Sequence, residues 1–262
     1  MIVRRILAFA VALLLCQAAL AGQSCQERQL SQKEFRSGLE LAYRVHEELA
    51  RHSAKAALVG RVGRDLSEYR LRYSHVGLAV WDEQRRGYTV VHLLNHCGRA
   101  DSALYDEGLG NFFTDDTFRY ESIVLIPSIQ MQAKLIEAIA GGAGLKVHEP
   151  AYSLIAHPYS AKYQNSNQWL LEFFSVVADG HRSADRVSAQ DSLQRAGYKP
   201  SVINLPPLKR LGARLFAVNT KFDDHSMEEW SSSQYQIVSA ESVLDFVARI
   251  DPIVSKTVIS LP

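Results

Sequence analysis

Ser166 opens an apolar helix behind a polar run. Gln164-Asn165-Ser166-Asn167-Gln168 leads straight into Trp169-Leu170-Leu171 and Phe173-Phe174. Two readings fit this order. Ser and Asn are favoured helix N-caps because their oxygens accept the orphan N–H groups of the first turn. A nucleophile in the same place stands at the positive end of the helix dipole, where helix-start N–H groups can hold a developing oxyanion. A base is available upstream. In Ser74 to Trp81, His75, Gly77 and Ala79 alternate onto one face and Val76, Leu78 and Val80 onto the other. The small residues leave room for something to approach the imidazole. His92 lies in the next β-like run, Gly87 to Leu94. A hairpin turning within Asp82 to Arg86 brings the two histidines close across the ladder. They can act as a general base with its orienting partner, or as a half-buried hydrogen-bonded pair with a structural role only.

Other chemistry-bearing residues point to less. His92-Leu93-Leu94-Asn95-His96-Cys97-Gly98 places two histidines and a cysteine together. His92 and His96 have the spacing of helical zinc ligands. The segment reads as a strand, however, where residues four apart are well separated, so no metal is expected. Asp223-Asp224-His225 reads as a solvated loop, and Asp115-Asp116 as a turn cap. Tyr152-Ser153 and His157-Pro158-Tyr159-Ser160 precede Ser166 and either line its groove or pack as loop. There is no phosphate loop, dinucleotide fingerprint or zinc-protease motif, and no cofactor is expected.

The elements that must position these residues read as one α+β domain over 22–262, with helices on one side of an antiparallel sheet. A helix is expected over Ser31 to Lys55, with Phe35, Leu39, Ala42, Val45 and Leu49 as its apolar stripe. The two β-like runs form the hairpin, and Ser122 to Pro127 is a third strand. Helices are expected over Ile129 to Ile139, from near Asn165 to Ala178, over Ser183 to Ala196 and over Ala240 to Ile250. Tyr235 to Val238 reads as a strand, and Leu205-Pro206-Pro207-Leu208 as a turn-rich connector.

Residues 1–21 read as a secretory signal peptide: Arg4 and Arg5, an apolar run from Leu7 to Leu15, and Ala19-Leu20-Ala21 as the cleavage site. The run is too short for a permanent anchor, so no transmembrane anchor is expected after cleavage, and the location is periplasmic or secreted. Cleavage removes two arginines and no acid, leaving 27 basic and 28 acidic residues. No segment is basic enough to suggest a nucleic-acid footprint. The 47% hydrophobic and 22% charged residues of the 262 suit a soluble globule with a real core. Cys16 leaves with the leader. Cys25 and Cys97 remain as an expected disulfide in an oxidising compartment, closing a loop of about seventy residues.

His75-Val76-Gly77 followed by Asn165-Ser166-Asn167-Gln168-Trp169 resembles the circularly permuted papain-like amidase superfamily. That group includes the NlpC-related cell-wall peptidases, the lecithin:retinol acyltransferases and the PPPDE-type peptidases. There the histidine strand precedes the nucleophile, and a second polar residue follows on the next strand. The nucleophile opens a helix in a motif like Asn-Cys-Asn-x-Phe, with serine here in place of cysteine. Over most of the mature chain the sequence resembles an exported bacterial family, domain of unknown function 2145, through HLLNHCG (92–98) and YQNSNQW (163–169). The resemblance implies a permuted papain-like fold with Ser166 as nucleophile, His75 as base and His92 as its orienter. Asn165, Asn167 and Tyr163 would lie around the oxyanion or substrate. The implied substrate is an amide or ester, with cell-wall peptide (peptidoglycan) as the class. A thiol ionises readily beside an imidazole and a hydroxyl does not. The same resemblance therefore also admits a catalytically inactive binding module of the envelope.

Overall fold

The computed structural model describes residues 29–262 apart from 116 and 181–184. The leader, its cut after Ala21, Cys25, Asp116 and the expected helix start at Ser183 lie outside the described residues.

Helix α1 (Gln32–Arg51) begins on a capping box between Ser31 and Glu34. Strands β1 (Ala56–Val62), β2 (His75–Asp82), β3 (Gly87–Asn95) and β4 (Ser102–Gly108) follow. Next come α2 (Leu109–Thr114), β5 (Arg119–Ile126), α3 (Ile129–Ala140) and the single turn α4 (Ala143–Lys146). A long connection then leads to α5 (Ser166–Ala178) and α6 (Arg186–Arg195). The chain ends with β6 (Ser201–Asn204), α7 (Pro207–Phe216), α8 (Met227–Ser232), β7 (Gln234–Ile237), α9 (Ala240–Ile250) and β8 (Ser255–Ser260).

The fold is α+β, built on a six-stranded sheet in the order β4-β3-β2-β1-β5-β8, antiparallel at every pairing. A separate antiparallel ribbon joins β6 and β7. Helices cover both faces of the large sheet rather than the one side expected. On one face Leu41, Val45 and Leu49 of α1 and Phe112 and Phe113 of α2 pack on Ala57, Val59, Ala79 and Val90. On the other, α3, α5, α6 and α9 pack on Ala56, Leu58, Val76, Leu78 and Leu125. Every residue of β1 is buried. A strand covered on both sides loses the alternation by which strands are recognised, and this central strand had no counterpart in the expected elements. The stripe on α1 also shifts. Leu41, Ala42, Val45 and Leu49 are buried, whereas Phe35 and Leu39 are exposed.

No helix among the described residues is long and apolar enough to cross a membrane.

Candidate functional site

The site lies where the sheet comes apart. Pairing of β2 with β3 runs from Asp82–Gly87 to Leu78–Val91 and stops, while β3 continues against β4 as far as Asn95–Ser102. Residues 75–77 of β2 are therefore left without backbone partners on that side. The N-terminus of α5 fills the opening. The Asn167 side chain accepts a hydrogen bond from the Val76 N–H (3.0 Å) and donates one to the Ser74 carbonyl (3.3 Å). These two backbone groups flank His75, so one side chain of α5 substitutes for the missing strand contacts and ties the residue after Ser166 to the histidine strand.

Across the same opening, His75 Nε2 and His92 Nδ1 are 2.8 Å apart. His92 Nε2 lies 3.0 Å from Glu107 Oε1 on β4. That contact is close but off the ring N–H direction, and neither atom has a hydrogen-bond partner. We read it as an electrostatic contact. The proton arrangement that serves all three groups puts a proton on His92 Nε2, facing Glu107, and one on His75 Nε2. His75 Nδ1 is then a free lone pair, and it makes no hydrogen bond among the described residues. Nothing local in the sequence marks Glu107. It becomes visible only through the β3–β4 register, which sets it diagonal to His92.

Phe112 packs on both imidazoles, with ring centroids 5.8 Å from His75 and 5.3 Å from His92. The buried Arg61 holds this ring in place. Its guanidinium lies 4.8 Å over Phe112, donates to the Phe112 carbonyl, and pairs with Asp115 at 3.1 Å. Gly77 makes the packing possible. A Cβ there would stand 2.5 Å from Val90, 3.3 Å from His92 and 3.4 Å from Phe112. The space beside His75 is thus occupied by the histidine's own packing partners, not by an approaching ligand.

At the helix start, Asn165 and Gln168 form a capping box. Asn165 Oδ1 accepts the Gln168 N–H at 2.8 Å, and its amide nitrogen donates to the Val238 carbonyl at 3.2 Å. Ser166, partly exposed, has its Oγ 3.5 Å from the hydroxyl of Tyr152. The Tyr152 phenol is buried, which pushes its pKa up and keeps it protonated as a donor. Tyr152 is placed by a bridge to Gln164 and by its N–H to the Ala100 carbonyl.

Both sequence motifs thus meet at one opening, HLLNHCG through His92 and YQNSNQW through the α5 cap. The chain belongs to the DUF2145 family. The family's sequence profile, described as an uncharacterized protein conserved in bacteria, matches residues 48–247. Comparison with curated proteins and with solved structures gives no match.

In this DUF2145 protein the expected site residues divide into two groups. His75, His92 and the start of α5 come together. The amides of Asn165 and Asn167 are both engaged in internal bonds. Tyr163 turns its hydroxyl to Asp223 at 3.3 Å. Cys97 is disulfide-bonded, and its expected partner Cys25 lies outside the described residues. His96 pairs with Asp101 at 3.1 Å, away from the surroundings of His92. Asp224 and His225, expected in a solvated loop, are buried: Asp224 accepts the His157 N–H at 2.8 Å and His225 reaches the Ile155 carbonyl at 2.7 Å.

Burial first, then His92 and the Arg61 cation, hold His75 well below the ordinary imidazole range. The folded protein keeps it neutral, whereas the unfolded chain protonates it near pH 6.5, about its ordinary value. The stability this neutral group contributes is complete above that pH and is lost as pH falls below it, because the unfolded state then binds the extra proton. His148 and His157 are shifted the same way by burial. The unfolding free energy is expected to decline from pH 7 to pH 5 in denaturant titrations, and His75→Gln to make that decline shallower. An identical pH slope in the variant would contradict a neutral, buried His75.

Proposed function

We propose that the protein is an exported papain-like hydrolase or acyl transferase of the bacterial envelope, acting on an amide or ester, with cell-wall peptide as the substrate class. The observation that carries this reading is the tie between α5 and the histidine strand: Asn167, next to Ser166, bonds the backbone groups on either side of His75, whose imidazole pairs with His92. The order of parts also agrees with a permuted papain-like site: base strand, orienting strand, then nucleophile at a helix start. In the proposed reaction Ser166 Oγ attacks the carbonyl carbon and His75 Nδ1 takes its proton. The oxyanion is held by the Tyr152 hydroxyl and the N–H groups at the start of α5. His75 then returns the proton to the leaving amine or alcohol, and water or a second acceptor releases the acyl group by the same steps. His92, which lies between His75 and Glu107, orients the His75 ring. The expected signal peptide and the bonded Cys97 support an oxidising, extracytoplasmic setting.

A fluorophosphonate probe for serine hydrolases tests the assignment. The parent is expected to be labelled, and Ser166→Ala to lose labelling by about 10³-fold or more, as removal of a nucleophile does. Persistent labelling of Ser166→Ala would sink the assignment.

One observation favours a second reading. Ser166 Oγ has the Tyr152 hydroxyl, not His75, as its hydrogen-bond partner, which is the state of a structural side chain rather than an activated nucleophile. On that reading the protein binds a ligand without cleaving it. Ser166→Cys separates the two. Thiol-dependent hydrolysis appearing in the variant, with an unlabelled parent, identifies an inactive binding module.

A further inference from the structure

Helix α7 is mounted with its apolar side outward. None of its ten residues is buried. Leu208, Leu211, Leu215 and Phe216, at the spacing of one helix face, are 78%, 54%, 65% and 56% exposed. The opposite face holds the helix to the protein. Arg210 stacks 4.0 Å over the Trp230 ring and donates to the Trp230 carbonyl at 2.7 Å and the Tyr235 hydroxyl at 2.9 Å. Ala213 packs on the small cluster beneath the β6–β7 ribbon. Contacts of this kind fix the orientation of the helix, so the outward apolar face is built in.

We propose that this face docks on an anionic membrane surface. The flanks of the stripe are cationic. Lys209 on one side, in an exposed ion pair with Glu68, and Arg214 on the other, 5.5 Å over the Trp230 ring, are exposed, and no acidic residue occurs from Leu205 to Phe222. An apolar stripe edged by basic residues is the arrangement that inserts at the headgroup boundary, and an exposed pair such as Lys209–Glu68 is weak enough for lipid phosphates to replace the carboxylate. A second copy of the chain fits less well. Four side chains on one short helix fall well below the roughly 800 Å² that each partner buries in a stable dimer. The docking does not depend on whether Ser166 acts. It does orient the candidate site: just beyond α7, the Asn219 carbonyl accepts the Leu154 N–H at 2.8 Å. Leu154 lies two residues past Tyr152, which touches Ser166.

Cosedimentation of the chain without residues 1–21 tests this. The vesicles are phosphatidylglycerol and phosphatidylcholine in equal parts, compared with phosphatidylcholine alone. Binding is expected to the mixed vesicles, to weaken with added salt, and to fall roughly a hundredfold in Leu211→Glu/Leu215→Glu. Both side chains are exposed, so the melting temperature should not change. Three results would each overturn the proposal: no binding to the anionic vesicles, equal binding by the double variant, or a parent dimer in light scattering that the double variant dissociates.

Discussion

Arg186→Met is expected to lower the unfolding free energy by about 3–5 kcal/mol, the cost of leaving one charge of a buried ion pair uncompensated. Glu172 is fully buried and Arg186 nearly so. The guanidinium meets the carboxylate twice, Nε to Oε2 at 2.8 Å and Nη2 to Oε1 at 3.1 Å. Gln164 and Gln190 donate to the same carboxylate at 2.5 and 2.7 Å. Arg186 also donates to the carbonyls of Ala161 at 2.8 Å and Tyr163 at 2.9 Å. The pair therefore fastens the strap that leads into Ser166. Burial raises the Glu172 pKa, and Arg186 and the glutamines pull it back down. Without Arg186 only the glutamines oppose the rise. A raised folded-state pKa means stability present at low pH and lost as pH climbs through it. The destabilisation of Arg186→Met should therefore be smaller at pH 5 than at pH 8. Chemical denaturation at the two pH values checks both statements. Glu172→Leu/Arg186→Met, which removes both charges, should recover much of the loss. A single variant within about 1 kcal/mol of the parent, in the range of a surface pair, would show that the pair is not a structural tie.

The sequence showed those parts of the fold whose signals are local. The cap at Asn165, the hairpin of β2 and β3, and helices α3 and α9 lie where their periodicity places them. Parts whose signals depend on context were not legible. In β1, covered on both faces, no alternation survives. β4 and β8 lie at the sheet's edges with their side chains mostly half-buried or exposed, so neither carries a buried apolar face. Helix α7 was hidden by Pro206-Pro207, read as a connector although proline is well suited to the first helical position, where Pro207 sits. The same division holds for the site. His75, Gly77, His92 and Ser166 were visible as residue types in a familiar order. Glu107 needed a strand register, and Tyr152 needed the path of a long connection. Asn167, adjacent to Ser166, invited an oxyanion role. Its bonds to the histidine strand, beside the gap between β2 and β3, depend on a pairing that stops three residues short, which no local pattern announces.

That position gives the second large expected effect. Asn167→Ala removes the partners of the Val76 N–H and the Ser74 carbonyl. Asn167 is itself buried, so little water can replace its amide. Two buried backbone groups left unpaired cost about 1–3 kcal/mol each, and a loss of about 2–4 kcal/mol is expected in denaturant titrations. Asn167→Asp distinguishes a clamp from a space-filler. The carboxylate can still accept from Val76, but it turns a negative oxygen toward the Ser74 carbonyl, so the variant should be weaker than Asn167→Ala at pH 8. Protonation restores a donor, so its stability should recover toward that of the parent as pH falls through the carboxyl's raised pKa. The same negative charge, placed beside the His75 strand, favours imidazolium. His75, depressed in the parent, should titrate at a higher pH in Asn167→Asp when followed by its ring proton shifts. If Asn167 tunes the base as well as holding the strand, probe labelling of Ser166 should fall in both variants, with a changed pH profile only in Asn167→Asp. An Asn167→Ala protein as stable as the parent, with His75 titrating unchanged in Asn167→Asp, would show that α5 and the histidine strand are held together by something other than this side chain.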